Sequence, residues 1–171
     1  MREIKVIDNF LSKKSFKKIE DIILSDQFPW YWVQQSTWEK TKHGKDSFLC
    51  HSIQYKEAIN SSFCEDIMQP IQSKLKYSEL LRAKLNLQYN RGTAIKTNYH
   101  SDFPEYVDQH KFFSTAILYL TTCNGYTQFE CNKAKIKSVA NRLVLFPGEL
   151  CHRGICQTDT NRRVLLNINF I

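Results

Sequence analysis

Residues 81–89 read LRAKLNLQY. Leu81, Ala83, Leu85, Leu87 and Tyr89 alternate with Arg82, Lys84, Asn86 and Gln88, the period of two that a strand with one buried face requires. Short runs of the same kind recur downstream at 94–99, 114–121, 127–131, 135–139, 142–146 and 162–171, divided by the turn formers CNGY and FPGE. Upstream the apolar spacing is helical instead. Helices first and many short strands after them predict a mainly β protein, a sandwich or barrel with helices packed on one sheet.

Working back toward the N-terminus, IKVIDNFLS predicts a short strand running into a turn. Ser12 can cap the helix that follows, whose apolar stripe is Phe16, Ile19, Ile22 and Ile23. A second helical pattern runs over 62–75 on Phe63, Ile67, Ile71 and Leu75, and Pro70 should kink or break it. Residues 29–60 are irregular and hold Trp30, Trp32 and Trp38, which could wall a pocket or simply be buried.

The 171 residues suit one domain, divided into a helical support and substrate-loop region (1–80) and a β core (81–171). No apolar run is long enough to span a membrane, and the first residues lack the pattern of a secretory signal. Six cysteines (50, 64, 123, 131, 151, 156) form no CxxC pair and no zinc spacing, so free thiols in a reducing cytoplasm are expected. The net charge of +7 is dispersed over KKSFKK, EKTKHGK and KAKIK. Dispersal favours solvated lysine faces over a nucleic-acid footprint.

His100 and Asp102 stand two apart, and in extended chain such residues point the same way about 7 Å apart at Cα. They can fill neighbouring positions on a divalent metal. A further ligand must come from another part of the chain, and among His43, His51, His110 and His152 the last has the best context, just after RLVLFPGEL. Two histidines and one carboxylate leave three positions open, as in non-haem Fe(II) oxygenases. A keto acid that chelates such an iron needs a cationic fork for its far carboxylate, and Arg suits this better than Lys. Arg162 and Arg163 open the last strand. Arg162 shares a face with Val164, Leu166, Ile168 and Phe170, which belongs against the helices. Arg163 shares the other face with Leu165, Asn167 and Asn169 and should point into the sandwich.

Taken together, YHSDF, TAILYLTTCNGYTQFE, VANRLVLFPGELCH and NRRVLLNINF resemble the Fe(II)- and 2-oxoglutarate-dependent dioxygenases, in their prolyl-4-hydroxylase-like branch with its small bacteriophage-type proteins. The opening IKVIDNFLS and FPWYWV resemble the N-terminal part of those phage-type proteins, so the resemblance covers most of the chain. It implies a double-stranded β-helix (a cupin-like jelly roll) with N-terminal helices on the major sheet, as one domain over 1–171. It further implies that His100, Asp102 and His152 bind Fe(2+), and that Arg163 pairs with the C5 carboxylate of 2-oxoglutarate. Tyr119 would hydrogen-bond the same carboxylate, and Tyr89 would face the cosubstrate. The family's Gly-Gly-x-Thr becomes Asn124-Gly125-Tyr126-Thr127 here, which keeps the turn. Collagen-type prolyl hydroxylases often carry Lys at the Arg163 position, so that subgroup matches less well.

The implied reaction is hydroxylation of a C–H bond with O2, releasing succinate and CO2, with ascorbate as an optional addition. A peptidyl proline leads among peptide, protein or small-molecule substrates by analogy. A methylated nucleobase and a non-enzymatic metal- or acid-binding role are the alternatives. Loops 29–60 and 101–112 should meet the substrate, through Trp30, Trp32, Phe103, Tyr106 and Phe112. Arg91 and Lys96 are either cations at the pocket mouth or solvated charge. Asn86 and Asn167 either assist the site or only hold the sheet, and Cys151 should point away from the metal. His43, His51 and His110 are expected in loops or at the surface.

Overall fold

The computed structural model describes residues 3–34, 47–109 and 111–171. In chain order the elements are β1 (Lys5–Ile7), α1 (Lys13–Ile23), β2 (Tyr31–Val33), β3 (Phe48–Tyr55), β4 (Ala58–Ile59), α2 (Cys64–Leu75), β5 (Leu80–Tyr89), α3 (Pro104–Asp108), β6 (Ser114–Tyr119), β7 (Tyr126–Phe129), β8 (Lys135–Lys137), β9 (Arg142–Pro147), β10 (His152–Ile155) and β11 (Arg162–Phe170). Among the described residues the strands form an eight-stranded sheet ordered β1-β9-β6-β11-β5-β3-β2, with β4 on β3, and a three-stranded sheet ordered β10-β7-β8. All named pairings are antiparallel. This is the mainly β jelly roll expected from the sequence, with α1 and α2 on the outer face of the larger sheet.

Alternation sorts the side chains of the large sheet. On its outer face Ala83, Leu85, Leu87, Ala116, Leu118, Val164, Leu166 and Ile168 pack with Ile19 and Ile23 of α1 and Ile67 and Ile71 of α2 into the main core. The inner face of β11 carries Arg163, Leu165, Asn167 and Asn169, all buried, while Arg162 is exposed. Arg163 therefore points inward and Arg162 outward, as the alternation predicts. Ser12 caps α1 as expected, its hydroxyl accepting from the Ser15 N–H at 3.1 Å.

The alternation breaks at one end of β5. Phe170 pairs with Leu80 and Asn169 with Arg82, so Leu81 is the extra residue of a bulge. Leu81 leaves the face of Ala83 and joins Phe103 and Phe113 in a separate cluster, and Leu80 takes the outward place. Nor does Pro70 end α2, which runs through it to Leu75. Only the hydrogen bond a helical N–H at position 70 would make is lost.

Three segments depart from the expected strands. Residues 94–99 contribute one bridge, Lys96 to Ile155, rather than a strand. Part of the irregular stretch 29–60 is an eight-residue strand, β3, paired along β5. His152 lies within β10, not only after β9. Trp38 and His43, and His110, lie outside the described residues. No helix among the described residues is long and apolar enough to cross a membrane.

Candidate metal centre

A cavity of about 420 Å³ opens between the two sheets, and its wall includes Arg82, Lys84, Asn86 and Gln88 of β5 together with His100, Asp102, His152 and Arg163. One ligand atom from each of His100, Asp102 and His152 lies within 4.8 Å of the others. The backbone fixes this meeting. His100 donates its N–H to the His152 carbonyl and His152 returns the bond, both at 3.0 Å, so the two imidazoles stand opposite each other with centroids 5.0 Å apart.

Each imidazole is also oriented by a carbonyl two residues back. His100 Nδ1 lies 3.1 Å from the Asn98 oxygen and His152 Nδ1 3.1 Å from the Leu150 oxygen. A carbonyl only accepts, so both Nδ1 atoms carry the proton and both Nε2 lone pairs are left for a metal. Burial pushes the His152 imidazolium down, and the neighbouring His100 and Arg82 add to this, while Asp102 and the Leu150 carbonyl oppose it. A neutral ring is the form that ligates.

Asp102 is the most elaborately held group. Arg82 Nη2 donates to its Oδ1 at 3.0 Å, Asn169 Nδ2 to its Oδ2 at 2.9 Å, and Asn167 Nδ2 to both oxygens at 3.3 and 3.1 Å. Thr115 adds a longer contact at 3.4 Å. Burial alone would raise this carboxyl, but the Arg82 charge, the two imidazoles and the Asn169 bond outweigh it and hold it well below the usual carboxylate range. Arg82 is itself fixed by Asn169 Oδ1 at 3.1 Å and by the face of Phe103, 4.8 Å from its guanidinium carbon. Asn167 thus touches the site, whereas Asn86 keeps a buried Oδ1 without a hydrogen-bond partner among the described residues.

Four residues along β11, about 13 Å by strand geometry, Arg163 is 1% exposed yet faces no carboxylate among the described residues. Its Nη1 donates to Gln88 Oε1 at 2.8 Å and its Nη2 to Thr127 Oγ1 at 3.3 Å, and its guanidinium lies 5.4 Å from the Tyr119 ring centre. Its Nε has no hydrogen-bond partner among the described residues. Tyr119 is fully buried and donates to Thr127 Oγ1 at 2.7 Å. Burial pushes the phenol up, with Arg163 and Thr127 opposing. Two glycines make room here. A Cβ on Gly125 would come within 2.8 Å of Arg163 Cδ, and one on Gly154 within 3.3 Å of Gln88 Nε2 and 3.7 Å of Arg163 Nη1.

Tyr89 requires a correction. The register pairs Arg163 with Gln88 and Arg162 with Tyr89, and residues opposed across a ladder point to the same side, so Gln88 and not Tyr89 faces the cavity. Tyr89 stacks on Trp32 at 6.0 Å and lies 3.3 Å from the Ser47 hydroxyl. Gln88, Thr127, Arg82 and Asn169 are site residues the sequence reading did not single out for that role. For Gln88 and Asn169 the signal was present, since alternation from Arg163 and Asp102's need for donors point to them.

The other expectations divide. Among the described residues Val33 and Phe48, not Trp30 or Trp32, supply the apolar wall from the first eighty positions. Trp30 packs against the main core, Trp32 is exposed, Phe103 and Tyr106 sit in the cluster beside Arg82, and Phe112 is exposed. Arg91 bonds to the Ser47 carbonyl and hydroxyl, and Lys96 is exposed; neither lines the cavity. His51 is buried between the Pro29 carbonyl and the Ser61 hydroxyl rather than on the surface. Cys151 takes no part in the metal cluster.

No family model and no curated protein matches the sequence. Solved structures do match. A 2OG-Fe(II) oxygenase family oxidoreductase from Burkholderia pseudomallei superimposes with a TM-score of 0.68 at 10% identity, covering 98% of this chain and 84% of its own. A prolyl hydroxylase from Trichoplax adhaerens, solved with a hypoxia inducible factor peptide fragment, gives 0.69 at 16% identity, covering 99% and 84%. The non-heme alpha ketoglutarate dependent epimerase SnoN from nogalamycin biosynthesis gives 0.65 at 11%, covering 99% and 78%. The chain has the fold of these oxygenases over almost its whole length.

Proposed function

We propose that residues 1–171 form a single Fe(II)- and 2-oxoglutarate-dependent dioxygenase domain that hydroxylates a C–H bond, with a peptidyl proline as leading substrate. One observation carries the reading: the same cavity holds a converging His–Asp–His set and, farther along β11, a buried arginine with a spare donor. The residues present fit both groups. His100, Asp102 and His152 would hold the iron through two neutral imidazoles and one carboxylate, and Arg163 would take the far carboxylate of 2-oxoglutarate. When bound, the pair supplies the oxidising power of O2, with succinate and CO2 as products and ascorbate as an optional reductant.

The chain's own work is positioning. Arg82, Asn167 and Asn169 keep Asp102 ionised and aimed. Thr127 Oγ1 already accepts from Tyr119 and Arg163, so its own proton is free to donate. Tyr119 therefore acts through Thr127. Val33, Phe48, Ile117 and Leu165 give the cavity dry walls, which strengthens the charge pairing inside. The Trichoplax adhaerens protein was solved with a peptide, and that analogy supports a peptide substrate. Cysteines unpaired throughout fit a reducing cytoplasm.

The test is 2-oxoglutarate turnover without a primary substrate, measured as succinate formed under air with Fe(II). Wild type should form it and His100→Ala should not. Anaerobic Fe(II) protein should also develop a visible charge-transfer band on adding 2-oxoglutarate. Absence of both signals in wild type overturns the reading.

A further inference from the structure

Lys84 lines the cavity from the inner face of β5, between Arg82, which is bonded to Asp102, and Gln88, which is bonded to Arg163. It is partly buried and makes no ion pair or hydrogen bond among the described residues; its Nζ lies 5.5 Å from the centre of the Phe48 ring. Lysines so placed are rarely left without an anion, because desolvating an ammonium costs more than an aromatic face returns.

The charges around it do not supply that anion. Among the described residues the cavity wall holds three cations, Arg82, Lys84 and Arg163, against a single carboxylate, Asp102. Arg82 already neutralises Asp102. The Fe(II) proposed above would balance a doubly charged 2-oxoglutarate, which leaves the cavity positive by two charges, and Lys84 is the cation with no assigned partner. Two acceptors wait beside it. Asn86 Oδ1 and Asn167 Oδ1 are buried without hydrogen bonds among the described residues; Asn167 is the register partner of Lys84, and Asn86 is two residues on along the same face.

We infer that Lys84, with Asn86 and Asn167, recognises a primary substrate that carries a carboxylate next to an amide N–H. The carboxylate pairs with the ammonium, and N–H groups satisfy the amide oxygens. An acidic peptide side chain and a free peptide C-terminus both offer this chemistry. A phosphate is a poorer fit, since its three acceptor oxygens would meet two further acceptors here. The inference rests on the dioxygenase reading, because the iron and 2-oxoglutarate enter the charge balance.

Three proline peptides separate the sources: amidated Ala-Pro-Ala, the same peptide as a free acid, and acetylated, amidated Ala-Pro-Asp. Calorimetry on the anaerobic Fe(II)–2-oxoglutarate protein should find at least one acidic peptide bound about tenfold more tightly than the neutral one. Lys84→Gln should abolish that preference and Lys84→Arg should retain it. Equal binding of all three by wild type, or a preference that survives Lys84→Gln, overturns the inference. So does a Lys84→Gln protein that loses 2-oxoglutarate affinity with peptide preference intact, because Lys84 would then serve the cosubstrate. If wild type gives neither succinate nor a charge-transfer band with 2-oxoglutarate, both readings fall together. With the band present and no acid preference, only this one falls.

Discussion

The two ends of the cavity treat their central charge in opposite ways. Asp102 meets a guanidinium, two carboxamides and a hydroxyl, all from the protein. Among the described residues Arg163, more deeply buried, meets a carboxamide oxygen, a hydroxyl and an aromatic face, and keeps Nε without a partner. The metal end is complete in its counter-charge before any ligand arrives, whereas the far end is short of one. Preorganised ligands hold a metal without reorganisation cost. An unpaired buried cation does the reverse, storing unfavourable desolvation that a carboxylate relieves on binding.

The sharpest way to break this contrast is at Asp102. Asp102→Asn removes the charge, leaves Arg82 without its anion and turns one acceptor into a donor facing the donors of Asn169 or Arg82. Iron-dependent succinate formation should fall below detection, and the metal-free protein should lose about 3 kcal/mol of stability, as when one partner of a buried pair is removed. Urea melts of the metal-free protein check the second value. Arg163→Leu should behave differently. It should weaken 2-oxoglutarate binding about 100-fold, the loss of nearly 3 kcal/mol from charge-assisted bonds, yet leave the metal-free protein within about 1 kcal/mol of wild type or more stable. If Arg163→Leu melts as early as Asp102→Asn, the far end is not short of a charge and the comparison collapses.

What the sequence made legible follows the same division. Alternation along 162–170 was enough to place Arg163 inside and Arg162 outside, because a half-buried strand with a continuous apolar face admits one orientation. The convergence of His100, Asp102 and His152 was legible because few residue sets in the chain combine imidazoles and a carboxylate in suitable context. Gln88 was missed although Arg163 implied it, since register between strands separated by 75 positions depends on pairing the chain cannot announce locally. Leu81 was misplaced for a related reason: a bulge shifts parity by one residue and leaves no mark in the hydrophobic pattern. The strand at 152–155, HRGI, has too little alternation to declare itself, and β3 lay in an irregular stretch that read as loop and strand together, with nothing local to mark the ends of the strand.

Tyr119 offers the finest test of the far end. Tyr119→Phe removes one bond to Thr127 and leaves Arg163 in place, so 2-oxoglutarate affinity should fall only about fivefold, near 1 kcal/mol. The phenol also has a distinct signature in stability. Its folded pKa is raised from 10.0, chiefly by burial, so below pH 10 the unfolded and folded states are equally protonated and nothing is lost. Above that value the unfolded chain gives up the proton while the folded one keeps it, and stability falls by about 1.4 kcal/mol per pH unit until the folded value is reached. Tyr119→Phe should make the alkaline limb of the stability profile shallower by that amount. An unchanged limb would mean that the phenol ionises as freely in the fold as outside it. Tyr119 would then not be the sealed floor of the anion pocket, and Thr127 would be left to position the carboxylate with Arg163 alone.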